Sequence, residues 1–273
     1  MPTPTDKAVI LARGLGTRMR RADSGASLDS EQASVAATGL KAMIPIGRPF
    51  LDYVLSALAD AGFRRVCLVI GPEHGAVRDY YTRGVSLTRV AVEFAIQERP
   101  LGTADAVAAA SGFAGGDLFL VINSDNYYPV EACRDLRLLG SPGVAVFGRG
   151  ALVSGGNVPP ERVRQFSIVS QAADGTLERV LEKPGEDEIA RLGPDPAVNM
   201  NCWMFGPSIF GACASVTPSA RGELELPDAV QYSISVLGER YRVLRFEKPV
   251  LDMSSRSDIA SVARYLEGVE VRL

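Results

Sequence analysis

Short apolar runs rich in β-branched residues alternate, through residues 1–150, with segments whose apolar positions recur at helical spacing. The runs Ala8–Leu11, Arg65–Ile70, Val90–Ile96, Leu118–Ile122 and Val144–Phe147 predict strands of the kind found in a parallel sheet covered on both faces. Between the first two, Phe50, Leu51, Val54, Leu55 and Leu58 share one helical face, and Gly62 ends the pattern. Glu73–Thr82, Thr103–Phe113 and Val130–Leu139 predict further helices. This βαβ alternation predicts a doubly wound α/β fold: a mixed, mainly parallel sheet with helices on both faces. Its ligand crevice lies outside the C-terminal strand ends.

Residues 151–273 are more mixed. Phe166–Val169 and Thr176–Glu182 flank Asp174-Gly175, a hairpin signal. Asn199–Phe205 and Tyr241–Phe246 predict strands, and Pro207–Ala214, Pro227–Leu237 and Ser257–Glu267 predict helices. Ala22–Gly39 is polar, small-residue rich and unpatterned, which predicts a mobile loop. No internal repeat is visible.

Composition narrows the chemistry. At 273 residues, with 47% hydrophobic and 22% charged content, the chain reads as a soluble globular protein with ample core. A net charge of −3 gives no support for a nucleic-acid or membrane partner, so any positive charge meant for a phosphate must be local. The 4 cysteines form no CxxC pair, and the single histidine, His74, argues against a His-rich metal site or a Ser-His-Asp relay. No leader-like segment or membrane-length apolar run is present, so the expectation is a cytoplasmic protein. The residues leave the oligomeric state open, a homodimer included.

The first strand breaks into Leu11-Ala12-Arg13-Gly14-Leu15-Gly16-Thr17-Arg18. Glycines without Cβ let backbone N–H groups approach an anion, and the arginines carry forks suited to phosphate oxygens. On its own the segment is equally a strand-to-helix turn. It is not a Walker loop, having no GK[ST], and lacks the third glycine of a dinucleotide fingerprint. Asp125, just past the fourth predicted strand, is either a crevice carboxylate for a hard cation or an Asx turn. Asp252 has the same character, with a helix-start or turn acid as its other reading, and two such acids suit one Mg²⁺ bridging substrate phosphates. Glu182-Lys183-Pro184 puts an acid and a base at a strand end, as a solvated turn also would. Gln97 offers an amide at another strand end, where Gly102 and Thr103 open a helix. An amide and a close backbone suit a nucleobase edge, while capping by Thr103 explains the Gly-Thr pair equally. Lys41 before Ala42-Met43-Ile44-Pro45 is a phosphate ligand or a surface lysine.

Taken together and in this order, these motifs resemble the sugar-1-phosphate nucleotidylyltransferases, most of all the glucose-1-phosphate thymidylyl- and uridylyltransferase branch. The resemblance spans nearly the whole chain and implies a single Rossmann-like, GT-A-like nucleotidyltransferase domain. A nucleotide half (1–150) precedes a sugar-phosphate half (151–273), with no C-terminal β-helix. It implies that Leu11, Ala12, Arg13, Gly14, Gly16 and Thr17 bind the nucleotide, with Gln97, Gly102 and Thr103 at a pyrimidine base. Arg18, Lys41, Asp125 and Lys183 are the implied catalytic residues, and Asp125 and Asp252 the Mg²⁺ ligands. Asn126, Glu182, Lys183, Asn199 and Asn201 are implied at the sugar phosphate. The partners implied are a nucleoside triphosphate, UTP or dTTP favoured, and a sugar 1-phosphate.

The chain departs from the pattern at three places. Arg13 stands where the family has glycine. The span from Arg18 to Lys41 is longer than usual, and Asn199-Met200-Asn201-Cys202-Trp203 replaces small residues beside the sugar. Two other functions stay open on these grounds: a non-catalytic sugar-nucleotide-binding regulatory homologue, favoured by Arg13, and transfer to a non-sugar phosphate such as a cyclitol phosphate.

Overall fold

Leu11 ends the first strand on the same edge of the sheet as Ile70 and Asn123 end theirs, because the three strands run parallel and in register. The computed structural model describes residues 4–23, 25–182, 184–185, 189, 191 and 195–273. The strands, in chain order, are β1 (Lys7–Leu11), β2 (Arg65–Ile70), β3 (Ala91–Ile96), β4 (Phe119–Asn123), β5 (Asn126–Tyr127) and β6 (Gly143–Gly148). They are followed by β7 (Ile168–Gln171), β8 (Leu177–Leu181), β9 (Ala197–Phe205), β10 (Arg242–Phe246) and β11 (Leu251–Asp252). The main sheet has the order β10-β6-β9-β4-β1-β2-β3, with β7 on β9 and β8 on β7. Only β9 runs antiparallel to its neighbours along that path, so the sheet is mixed and mainly parallel, as expected.

Both faces are dry. Along β1, Ala8 and Ile10 join one core with Leu68, Ile122, Phe50 and Leu55. Val9 joins the other with Val69, Val121, Trp203 and Phe205. Each Val, Leu, Ile or Phe among them contributes about 1.5–3 kcal/mol relative to exposure, which holds the register of the strands that carry the site. All four cysteines are buried thiols, and burial pushes Cys67 and Cys213 up to about 12. The helix Phe50–Asp60 buries Asp52, whose charge is met by Arg48 Nε at 3.0 Å and the Tyr80 and Tyr81 hydroxyls at 2.9 and 2.8 Å. Buried ions persist only with such partners.

Three expectations need correction. Ala22–Gly39 is not a loop throughout: Ser30–Thr38 is a helix. Asp29 accepts from the Gln32 N–H at 2.7 Å, Gln32 Oε1 accepts from the Asp29 N–H at 3.3 Å, and Gly39 (φ 81°) ends the helix. This capping box was present in the sequence, but small residues between the caps hid the periodicity. Glu73–Thr82 is a shorter helix, Gly75–Asp79, running into a wider π-type turn, Tyr80–Gly84, where the adjacent tyrosines both reach Asp52. Thr103–Phe113 breaks at Ala110 into Thr103–Ala109 and Ser111–Ala114, as Ser111-Gly112 weakens the helix there.

Candidate active site

Sheet hydrogen bonding continues one residue past the strand ends. The Ala12 N–H donates to the Val69 carbonyl, Gln97 N–H to Ile70, and Ser124 N–H to Leu11, at 2.9, 2.9 and 3.1 Å. These bonds set Ala12, Gln97 and Ser124 on one rim, around a cavity of about 260 Å³. Its walls include the Leu11–Leu15 loop, Gly39–Ala42, Gln97, Pro100, Gly102, Thr103, Asn123–Asp125 and Glu223. Of the residues expected from sequence, Leu11, Ala12, Arg13, Gly14, Lys41, Gln97, Gly102, Thr103 and Asp125 meet here.

Two glycines of the loop play different parts. A Cβ on Gly16 (φ 61°) would lie 2.2 Å from the Gly39 carbonyl oxygen. The turn after β1 and the end of the helix Ser30–Thr38 therefore pack backbone on backbone, and only glycine fits. That contact carries the chain straight into Lys41. Around Gly14 a Cβ would meet nothing within 4 Å, so the fold leaves open space beside it. Thr17 and Arg18 are exposed on the short helix Thr17–Arg20, outside the cavity wall.

Lys41 Nζ donates to Asp125 Oδ2 at 2.7 Å, the two side chains being 15% and 22% exposed. The ribbon β5–β11 sets Asp252 opposite Asn126, the residue next to Asp125. Asp252 is buried behind the cavity wall. Its Oδ1 accepts from Asn126 Nδ2 at 3.2 Å and Ser254 Oγ at 2.8 Å, and its Oδ2 from Arg162 at 3.1 Å. Burial pushes the Asp252 carboxyl up and the charge of Asp125 adds to this, while Ser254 and Arg162 oppose it. Arg162 also bonds Asp258 at 2.9 Å, so two buried carboxylates share one guanidinium. Asp125 and Asp252 are hard oxygen donors whose charges disfavour one another, a donor set that fits Mg²⁺ held by one or two carboxylates and substrate phosphates. Among the described residues no cluster of three or more His, Cys, Asp or Glu side chains could by itself hold a metal ion.

Arg13 lines the cavity, and its guanidinium is engaged by partners within the chain. Its side chain is 8% exposed and pairs with Glu73, with Nε and NH2 each 3.3 Å from a carboxylate oxygen. It also donates to the Gln97 carbonyl. His74 adjoins this clasp, its Nδ1 accepting from the Gly71 N–H at 3.3 Å. Opposite, Leu224 N–H donates to the Leu101 carbonyl at 2.7 Å and Ala104 N–H to the Leu224 carbonyl at 2.9 Å, while Thr103 Oγ1 accepts from the Leu226 N–H at 2.9 Å.

The sugar-side candidates lie apart from this cavity. In β9 the pairing with β6 jumps from Ala145↔Cys202 to Val146↔Asn199, so Met200 and Asn201 form a bulge. Asn201 (φ 57°) is the one non-glycine residue with positive φ among those described. Asn199 Oδ1 accepts its N–H at 2.9 Å, and the buried Tyr128 hydroxyl donates to the Met200 carbonyl at 2.6 Å. Bulges of this kind re-aim side chains beside functional sites. Glu182 is exposed past the end of β8, and Lys183 lies outside the described residues. Sequence reasoning did not pick out Gly39, Glu73, Asp105, Ser124, Arg162 or Glu223. The Asp29–Gln32 caps could have led to Gly39; the others have no local signature.

A family model described as nucleotidyl transferase matches residues 7–249, and the chain belongs to that family. A glucose-1-phosphate thymidylyltransferase of Streptomyces antibioticus is 30% identical over 98% of this chain and 68% of its own. A low-salt glycan biosynthesis nucleotidyltransferase of Haloferax volcanii is 28% identical over 87% of this chain and 58% of its own. The chain thus spans about half the length of the first curated relatives it matches. The crystal structure of a UDP-glucose pyrophosphorylase complexed with UDP-glucose shares the fold, with a TM-score of 0.74 at 18% identity over 97% of this chain and 99% of that one.

Two outcomes follow from this geometry. At Gly102 (φ 122°) an added Cβ would lie 2.4 Å from the Leu224 carbonyl oxygen. Gly102→Ala is expected to destabilise the protein by about 1–3 kcal/mol, read as a lower urea midpoint. His74 has its pKa lowered from the ordinary 6.5, burial being the main cause, so the native state resists the proton that the unfolded chain accepts. Its contribution is complete above 6.5 and is lost as pH falls below it. Urea midpoints between about pH 7.5 and about pH 5.5 should therefore drop less steeply in His74→Gln than in the wild type.

Proposed function

We propose that this chain joins a nucleoside triphosphate to a sugar 1-phosphate, giving an NDP-sugar and pyrophosphate. The observation that carries this reading is the Lys41–Asp125 ion pair, set at 2.7 Å in the cavity wall facing the Leu11–Gly14 loop. A cation and an anion held side by side beside open backbone match a site that must hold phosphates and a divalent cation together.

In this reading the loop backbone at Ala12–Gly14 cradles the triphosphate. Lys41 steadies its charge, helped by the exposed Arg18 from the start of the next helix. Gln97, Gly102 and Thr103 face the base, for which UTP or dTTP is favoured. The sugar phosphate comes from the side of the β9 bulge, held by Asn126, Glu182, Lys183, Asn199 and Asn201. Asp125 and Asp252 would hold Mg²⁺, which when bound neutralises charge on the phosphates. A phosphate oxygen of the sugar 1-phosphate attacks the α-phosphorus. The new O–P bond forms as the α–β bridging bond breaks, and the electron pair leaves on pyrophosphate. The attacking oxygen is already anionic, so no general base is needed, and positioning and charge stabilisation supply the rate. The single domain would then work as a nucleotide half (1–150) and a sugar-phosphate half (151–273). The buried cysteine thiols suit a reducing cytoplasm.

Arg13 was the feature favouring a non-catalytic homologue. Its charge is met by Glu73 and its fork serves the Gln97 backbone, which is compatible with an active site. A pyrophosphate-release screen crossing UTP, dTTP, CTP, GTP and ATP with a panel of sugar 1-phosphates tests the reaction. Asp125→Ala is expected to lower Mg²⁺-dependent release by about 100-fold or more while the melting temperature stays near that of the wild type. Unchanged turnover in that variant would overturn the assignment.

A further inference from the structure

Gln97 is held at four points. Its N–H donates to the Ile70 carbonyl at 2.9 Å, and its own carbonyl accepts from Arg13. Its side-chain Nε2 donates to the Gly102 carbonyl at 3.0 Å and to Asp105 Oδ2 at 2.8 Å. A backbone carbonyl and a carboxylate have no proton to give, so the amide lies one way round only. Both its N–H bonds are engaged, and a flip would set Oε1 against two acceptors. Gln97 is 4% exposed and lines the cavity. Among the described residues no hydrogen bond reaches Oε1, yet no fully buried side-chain nitrogen or oxygen lacks a partner. Oε1 therefore keeps accessible surface, and the cavity is where Gln97 meets open space.

We propose that Asp105 is a positioning residue for base selection: by holding Gln97 Nε2 it makes the cavity present a hydrogen-bond acceptor. The proposal rests on the reading of this cavity as a nucleoside triphosphate site. An acceptor set opposite the ring nitrogen of the base admits one that offers an N–H there and opposes one that offers a lone pair. Uracil and thymine carry that hydrogen on N3, and guanine carries the equivalent one on N1. Cytosine N3 and adenine N1 are lone-pair acceptors. Without Asp105 only the Gly102 carbonyl would oppose reversal of the amide, so the carboxylate supplies the charged share of the discrimination that Gln97 makes. Gly102 contributes through its carbonyl, and its positive φ aims that group while Leu224 packs against it.

The test is Asp105→Asn, nearly isosteric, whose own amide can turn either way and so leaves only the Gly102 carbonyl to oppose reversal of Gln97. Wild type and variant are titrated calorimetrically with UTP, dTTP, GTP, CTP and ATP in the presence of Mg²⁺ and without a sugar phosphate. The wild type should bind UTP or dTTP well above CTP. The UTP-to-CTP affinity ratio should fall about tenfold in Asp105→Asn, the effect of one oriented hydrogen bond. Asp105→Glu, which retains the carboxylate, should keep most of the ratio, and the turnover defect of Asp105→Asn should fall on the KM for UTP rather than on kcat. An unchanged ratio in folded Asp105→Asn overturns the proposal, as does a wild type that binds UTP and CTP equally. A wild type that binds none of the five nucleotides overturns the proposed function, and this inference with it. Should Asp105→Asn fail to melt cooperatively, Asp105→Ala removes the acceptor without added bulk and is read in the same way.

Discussion

The site depends on one constraint: parallel strands in register must end together, and their hydrogen bonding runs one residue beyond each end. Ala12, Gln97 and Ser124 owe their places to backbone bonds with the strand alongside. Such bonds are indifferent to side chain, so this rim can carry unusual residues without losing its geometry. The register is in turn held by the two dry faces of the sheet, since slipping a strand by one residue would exchange the sets headed by Ile10 and Val9.

At this rim and behind it each carboxylate is paired with a cation. Lys41 meets Asp125, Asp252 lies behind Asp125, and Arg162 joins Asp252 to Asp258. Buried ions of one sign would be costly together, and each carboxylate here has a cation or a set of donors within hydrogen-bonding reach. Arg162 arrives from the segment after β6, far in sequence from both acids it serves, and the β5–β11 ribbon closes the arrangement by setting Asp252 beside Asp125. The same principle governs Arg13. A guanidinium in place of a glycine would be an intrusion in a phosphate loop if it stood alone. Paired with Glu73 and bonded to the Gln97 carbonyl, it becomes a strut between the glycine loop, β2 and β3.

Much of this was legible from local pattern. The five early strands and the helix Phe50–Asp60 followed from apolar runs and helical spacing, because a sheet covered on both sides demands such runs. The glycine loop, Lys41, Gln97, Gly102 and Asp125 were singled out by residue type and place, and they do share one cavity. The helix Ser30–Thr38 was not anticipated: its buried stripe is little more than Ala36, so nothing periodic marks it. It holds because Asp29, Gln32 and Gly39 cap it and Gly39 packs on Gly16. Asp105 and Glu73 were also passed over, since a carboxylate in the first turn of a helix or beside a turn is commonplace and gains meaning only from what it touches.

Sequence by itself determined the alternation of strands and helices, the dry sheet, and the kinds of side chain carried past the strand ends, because these rest on period, propensity and chemistry that are local to the chain. Tertiary structure alone decided how those side chains are used. It turned Arg13 onto Glu73, set Asp252 behind Asp125, bulged β9 at Asn201, and fixed the Gln97 amide between Gly102 and Asp105. Each of these outcomes is a hydrogen bond or contact between separate segments of the chain, and its direction is set by distances of a few ångströms that exist only once the sheet has brought those segments together.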